Sequence, residues 1–263
     1  MSEELVRVTR LDAVACLEMN RPEALNAWTP DLAQQLRIAV QAAGKDPEVR
    51  AILIRGAGRG FSSGADHKLP RELNEHGKPN LSVRLHEFYN PLILAVREAP
   101  KPVVAGVHGV VAGIGVSLAL ACDLIVAAES AYFLLAFTNL AVMPDAGVLR
   151  FLADRVGLAR AAELTMLSDR LPAAKALDWG LINAVHPDDE LRAAAEALAA
   201  RLAAGPTIAL ANIKRTLNET TQPALAAQLA IEADRQQDHG NSDDYAEGVA
   251  AFKEKRRPTF RGR

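Results

Sequence analysis

Cysteine is scarce in this chain: its 263 residues include two. Cys16 and Cys122 sit in apolar runs without CxxC spacing, which argues against a disulfide scaffold or a thiolate zinc site and fits reduced core thiols. An excess of charge of one sign is also missing. The net charge of −2 offers no basic groove for nucleic acid and no cationic face for a membrane. The tail KEKRRPTFRGR is locally basic and is expected to be a solvated end. The stretch MSEELVRVTR lacks the apolar segment of a secretion signal. No solenoid-length repeat and no low-complexity linker interrupts the chain. A cytoplasmic enzyme or binding protein, with no nucleic acid or membrane partner and no metal, is the expectation. With 49% hydrophobic and 24% charged residues, it can bury a full core, as one large α/β unit or as a core with an appendage.

The hydrophobic pattern alternates between strand and helix periods. Residues 5–10 and 13–19 are Val-rich runs around Leu11-Asp12 and predict a hairpin. Pro30 opens a helix over 31–43 that Gly44 ends, and 49–55 is a strand with the run AILI. A helix is expected from 81 through Ala99, with Leu81, Leu85, Phe88, Leu92 and Ala95 on one face. Further strands are predicted at 103–107, 123–128, 132–137 and 181–185. Further helices are predicted after Pro144-Asp145-Ala146-Gly147 as far as Arg155 and over 158–167 and 172–179. From Asp188 onward the character shifts to alanine-rich helices, broken at Gly205-Pro206, at Gln222-Pro223 and around Gly240-Asn241. A boundary near residue 195 divides a 1–195 core from a 196–263 helical region.

The stretch KPVVAGVHGVVAGIGVSLALACD, Lys101 to Asp123, has the form strand, glycine-rich turn, helix. Its apolar run suggests a membrane helix by hydropathy, but the glycines and the strand pattern oppose that. No Lys-Ser or Lys-Thr follows Gly115, so a phosphate loop is disfavoured. Taken alone, the stretch fits an ordinary buried strand and helix as well as an anion site. A helix that restarts after such a turn leaves its first N–H groups without carbonyl partners. A second loop, FSSGAD at Phe61 to Asp66, also comes straight off a strand and could aim an N–H into a cleft. Two such backbone donors from separate strand ends would make an oxyanion hole.

In combination, NRPEALNA at 20–27, the glycine-rich FSSGAD loop at 56–66 and the stretch at 101–123 resemble the crotonase superfamily of enoyl-CoA hydratases and isomerases. PDAG at 144, WGLINAVH at 179 and FKEKRRPTF near the end agree. The resemblance implies an α/β fold, a crotonase-like core of repeated ββα units with an α-helical C-terminal region that serves oligomer contacts. It implies a homotrimer or a dimer of trimers, an acyl-CoA thioester as partner, and coenzyme A as part of the substrate rather than a tightly bound cofactor. Carried over by motif, the oxyanion donors are the N–H groups of Ala65 and Ile114. The substrate wall falls on Ala24, Ala27, Ser63, Asp66, His67, Lys68, Leu69, Gly113 and Phe137, and Lys255 in the tail is implied to meet coenzyme A. Cys16 and Cys122 take no part.

Hydration in this family is the work of two glutamates. Those positions are Ser117 and Phe137 here, so ordinary hydratase chemistry is disfavoured. Asp145, in PDAG, matches the single acid of several enoyl-CoA isomerases, although an Asp just before Ala146-Gly147 is also a good helix N-cap. The expected reaction is double-bond migration by one carboxylate, with Phe133, Leu135, Phe137 and Val142 as a wall that excludes water. Hydration, aryl-CoA hydrolysis or dehalogenation, and a silent acyl-CoA-binding protein are the alternatives. Of the histidines, His67 is expected in a partly exposed loop, His86 at the surface, and His108 bonded to backbone beside the glycine turn. Arg150 and Asp154 are expected to pair across one helical turn.

Overall fold

A computed structural model describes residues 4–262, so the first residues of the acidic start and the final arginine of the basic tail lie outside it. The chain opens with the expected hairpin: β1 (Val6–Leu11) pairs antiparallel with β2 (Val14–Met19), and Asp12 between them takes a positive φ of 50°. Thr29 then caps α1 (Pro30–Lys45), accepting the Leu32 N–H at 3.1 Å with Pro30 at the first position, where its missing N–H costs nothing. β3 (Ala51–Gly56) lies parallel to β2.

The helix expected from 81 to Ala99 is present but interrupted. α2 (Ser82–Arg84) runs through a π-turn (Leu85–Tyr89) into α3 (Asn90–Glu98). The wider turn adds a residue and rotates the buried face. Leu81, Leu85 and Leu92 are buried as expected, Phe88 and Ala95 pack half-buried against the core, and Tyr89, Ile93 and Val96 join the core side. Tyr89 thereby meets Trp28 edge to face, with ring centroids 5.4 Å apart.

β4 (Val103–Val107) is buried along its whole length. The glycine-rich turn after it contains a short strand not foreseen from sequence, β5 (Val110–Ala112), before α4 (Ile114–Ala121). β6 (Leu124–Ala128) and β7 (Tyr132–Leu134) follow. The two helices expected around residue 157 form α5 (Val148–Leu167), with Gly157 at a non-helical φ of 77° between them. β8 (Arg170–Pro172), α6 (Ala173–Asp178) and β9 (Ala184–His186) complete this part. The sheets are a six-stranded one in the order β1-β2-β3-β4-β6-β9 and a three-stranded one in the order β5-β7-β8.

The repeated ββα unit is visible in that order. β1-β2-α1, β4-β5-α4 and β6-β7-α5 each run strand, strand, helix. In the unit that begins with β3, the second strand has shrunk to the single bridge of Ser62 with Val111. The inner strands β3, β4 and β6 are nearly continuous Val, Ile, Leu and Ala, as burial on both faces requires, whereas the edge strand β1 is mostly exposed.

The alanine-rich end forms α7 (Leu191–Ala203), α8 (Thr207–Thr221), α9 (Leu225–Gly240) and α10 (Asp243–Glu254), with breaks where Gly-Pro, Gln-Pro and Gly-Asn were noted. Residue 195 lies inside α7, whose Ala195 and Ala199 are buried. Arg55 of β3 holds Glu196 of α7 at 2.9 Å and Glu18 of β2 at 2.8 Å. α9 buries Leu229, Glu232, Ala233 and Gln236, a mixture whose polar half bears on the site. Among the described residues, no helix is long and apolar enough to cross a membrane.

Candidate active site

Two turns of the chain meet where the two sheets approach. The Ser62 N–H donates to Val110 O at 3.1 Å, and the Ala112 N–H donates to Ser62 O at 2.8 Å. This short ladder presses Gly64 against Gly113. A Cβ on Gly64 would lie 3.2 Å from Ala112 O, and one on Gly113 would lie 3.6 Å from Gly64 Cα. Both glycines have positive φ, 93° and 50°, a conformation that side chains disfavour.

The next residue in each turn is an expected oxyanion donor. Neighbouring N–H groups are engaged: Gly64 with Ser62 Oγ at 3.2 Å, Asp66 with Trp28 O at 2.9 Å, and Gly113 with Leu134 O at 2.9 Å. Among the described residues, none accepts from the N–H of Ala65 or Ile114. Ile114 is the first residue of α4, where an N–H has no helical acceptor. Both donors border one cavity of about 400 Å³. An oxygen that gains negative charge there would find two fixed dipoles.

The same cavity collects most of the residues singled out from sequence: Ala24, Ala27, Ser63, Asp66, His67, Lys68, Gly113, Phe137 and Asp145. Leu69 borders a shallower neighbouring depression instead. Lys255 caps the C-terminus of α10 at a φ of 55° and lines neither hollow, while Phe252 of the same helix reaches the cavity. The expected apolar wall is half right in its residues. Phe137 and Val142 line the cavity, whereas Phe133 and Leu135 are fully buried in the core and Leu134 and Ala136 face the cavity in their place. Alternation along the extended backbone requires that swap.

Asp145 does not cap the following helix. Gly147 holds the N-cap position, and its N–H donates to the carboxylate of Glu232, 2.8 Å away on α9. The Asp145 side chain is left for the cavity. Its Oδ2 accepts a 2.8 Å bond from Gln236 Nε2, and its Oδ1 is out of solvent contact without a partner among the described residues. Burial pushes the carboxyl up from the ordinary 3.8 to about 7, with the Gln236 bond pulling it down and the nearby Glu232 adding to the rise. Such a group holds and releases a proton near neutral pH.

The two positions read from sequence as vacated by glutamates have other duties. Ser117 is fully buried and its hydroxyl donates to the Asp145 backbone oxygen at 3.0 Å. It therefore steadies the loop that carries the acid. Phe137 contributes hydrocarbon to the cavity wall.

Gln236 and Glu232 escaped the sequence reading. The one signal is that Gln228, Glu232 and Gln236 recur every four residues in an otherwise alanine-rich helix, a polar stripe on a face that should be apolar. The stripe is internally bonded, with Gln228 Nε2 donating to Glu232 at 2.8 Å and Gln236 Nε2 donating also to Met143 O at 2.8 Å.

The histidines fall where expected. His86 pairs with Asp234 at 3.2 Å on the surface, and His108 Nε2 lies 2.9 Å from Gly58 O. His67 is half-buried in the cavity wall and edge-on to Phe252, and burial pushes its ring down to about 4, so it is neutral at pH 7. Arg150 and Asp154 pair at 2.9 Å. Cys122 is fully buried, its thiol pushed up to about 12 by burial, and like Cys16 it is a free thiol in the core.

Comparison with known proteins identifies the family. Residues 9–263 match the family model for enoyl-CoA hydratase/isomerase. The chain is 41% identical, over 95% of both chains, to a 1,2-epoxyphenylacetyl-CoA isomerase of Escherichia coli. It is 40% identical, over the full length of both, to a probable enoyl-CoA hydratase of Rhodobacter capsulatus. The crystal structure of an enoyl-CoA hydratase from Mycobacterium avium subsp. paratuberculosis superposes with a TM-score of 0.88 at 41% identity, covering 98% of each chain. With abutting glycine turns, two unpartnered amides and a match from residue 9 to its last residue, this chain belongs to the enoyl-CoA hydratase/isomerase family of the crotonase superfamily.

Proposed function

We propose that this protein shifts a carbon–carbon double bond in an enoyl-CoA thioester, using Asp145 as its single acid and base. The observation that carries the reading is the free Oδ1 of Asp145, buried without a partner in the wall of the cavity that also receives the Ala65 and Ile114 amides. The thioester oxygen sits between those two amides. Asp145 removes a proton from C2 of a 3-enoyl chain, the electron pair moves through the thioester carbonyl to give a dienolate, and the oxyanion is held by the two N–H groups. The protonated Asp145 then delivers the proton to C4, which leaves a 2-enoyl thioester and restores the carboxylate. One group does both steps because its affinity for the proton lies near neutrality.

The apolar wall supports isomerisation over hydration. Phe137, Leu140 and Val142 border the cavity and bind no water for attack on C3. His67 carries a second reading as a neutral ring in the same wall, although burial that pushes it down to about 4 makes it a weak base for water. Hydration or thioester hydrolysis would use it as the base. Incubation of 3-hexenoyl-CoA in ¹⁸O-labelled water separates the two. The isomerase yields 2-hexenoyl-CoA free of ¹⁸O and stops when Asp145 is replaced by Asn. A product carrying ¹⁸O, or activity surviving in Asp145→Asn, refutes the isomerase reading. A wild-type protein that binds the thioester and never turns it over refutes both. The homotrimer or dimer of trimers, the cytoplasmic location and the part played by Lys255 in holding coenzyme A belong to the same proposal.

A further inference from the structure

Arg84, at the end of α2, is 8% exposed and borders the cavity. Half of its guanidinium is anchored, since Nη2 donates to Pro70 O. The other half is less well held: Nη1 is out of solvent contact with no carboxylate or carbonyl acceptor among the described residues, and the neighbouring group that interacts with the guanidinium is the neutral Tyr89 hydroxyl. A buried guanidinium nitrogen without an acceptor is costly, and folds retain such a group where something completes it.

The charges around it do not supply the acceptor. Two carboxylates border the cavity, Asp66 and Asp145. Asp66 is paired with Arg21 at 3.1 Å and also accepts the Lys68 N–H at 3.0 Å. Asp145 is bonded to Gln236 and carries a proton much of the time at pH 7. Three cations, Lys68, Arg71 and Arg84, border the same space. The cavity is therefore short of negative charge, and Arg84 is the member of the three that is withdrawn from solvent. Lys68 and Lys253 are exposed cations at the neighbouring depression, open to phosphates from solvent in a way that the buried Arg84 is not.

We infer that the acyl group this enzyme accepts ends in a carboxylate, which Arg84 binds at the end of the chain away from the thioester. The inference rests on the acyl-CoA reading of the cavity and names the substrate class for it: CoA monothioesters of dicarboxylic acids. Anchored at Nη2, the guanidinium offers Nη1 in a fixed direction, and a carboxylate that accepts from it makes a charge-assisted bond in a site of low dielectric. Tyr89, on the π-turn beside it, borders the same space with its hydroxyl 3.4 Å from Trp28 O and offers a second polar group.

The test is binding, measured by calorimetry with saturated thioesters that cannot be isomerised. Three pairs of equal length are compared: butyryl- with succinyl-CoA, hexanoyl- with adipyl-CoA, and octanoyl- with suberyl-CoA. At the length that spans the cavity, the wild-type protein binds the carboxylate member about 10- to 100-fold more tightly, the equivalent of one charge-assisted bond. Arg84→Met removes that preference and leaves the affinities for the monoacyl member and for free coenzyme A unchanged. Arg84→Lys keeps part of it, because the charge remains while the fork is lost. Equal binding within all three pairs by wild-type protein overturns the inference. So does a parallel loss for free coenzyme A in Arg84→Met, which would assign the arginine to the phosphates. Because no turnover is needed, a failed isomerase reading shows in the labelled-water experiment and leaves this comparison intact.

Discussion

Replacing Asp145 by Asn removes a charge and keeps the shape, so it tests both the chemistry and the electrostatics of the site. Loss of a positioned acid and base lowers the rate of double-bond migration by about 10²- to 10⁴-fold. The effect on stability runs the other way and depends on pH. In the unfolded chain the carboxyl titrates near the ordinary 3.8, and in the folded protein near 7. Below the lower value both states are protonated, and wild type and variant differ by a constant. Between the two values the unfolded chain ionises first, so the folded wild-type protein loses stability as pH rises, by about 1.4 kcal/mol per pH unit. Above pH 7 both states are ionised and the penalty levels off, at most about 4 kcal/mol. Asn has no such transition. The variant should therefore gain stability over wild type between pH 4 and pH 7 and hold that gain at pH 8, while its activity is lost. Urea unfolding of both proteins from pH 4 to pH 8 reads the difference directly. A difference that stays flat across that range would refute the burial of an ionisable Asp145.

Gln236→Leu removes the bond that holds the Asp145 carboxylate in its charged form, so the acid limb of the kcat/KM profile should move above pH 7, read as a pH–rate profile. Glu232→Ala leaves the Gly147 N–H without its acceptor at the start of α5 and should cost about 1–2 kcal/mol in chemical denaturation. Gly115→Ala places a Cβ 2.7 Å from the Ser62 Cβ, within the contact that aligns the two turns. Displacing the amides by about 1 Å should lower kcat about 100-fold, with KM for the thioester changed far less.

The site shows how far local chemistry reaches. The candidate donors Ala65 and Ile114 were legible through the motif resemblance, whereas local pattern alone, a strand end and glycine turn with a helix start at Ile114, left an ordinary buried strand and helix equally open. Asp145 was ambiguous in sequence, since a cap and an acid occupy the same kind of position. A residue 87 positions along the chain, Glu232, takes the capping contact and leaves the Asp145 side chain for the cavity. The π-turn in the helix before β4, which brings Tyr89, Ile93 and Val96 into the core beside the expected face, leaves no compositional mark.

By itself, the order of apolar runs, glycine turns and proline breaks determined the alternation of strands and helices and the change to a helical end. These are short-range properties, set by backbone sterics and by which residues can be buried. Only the tertiary structure decided which polar groups would be left without partners. Whether the Oδ1 of Asp145 and the Nη1 of Arg84 find an acceptor or donor depends on α9 and on the loop around Pro70, brought in from elsewhere in the chain. A hydrogen-bond balance belongs to the packed molecule, because each buried group is satisfied or stranded by neighbours that its own stretch of sequence does not specify.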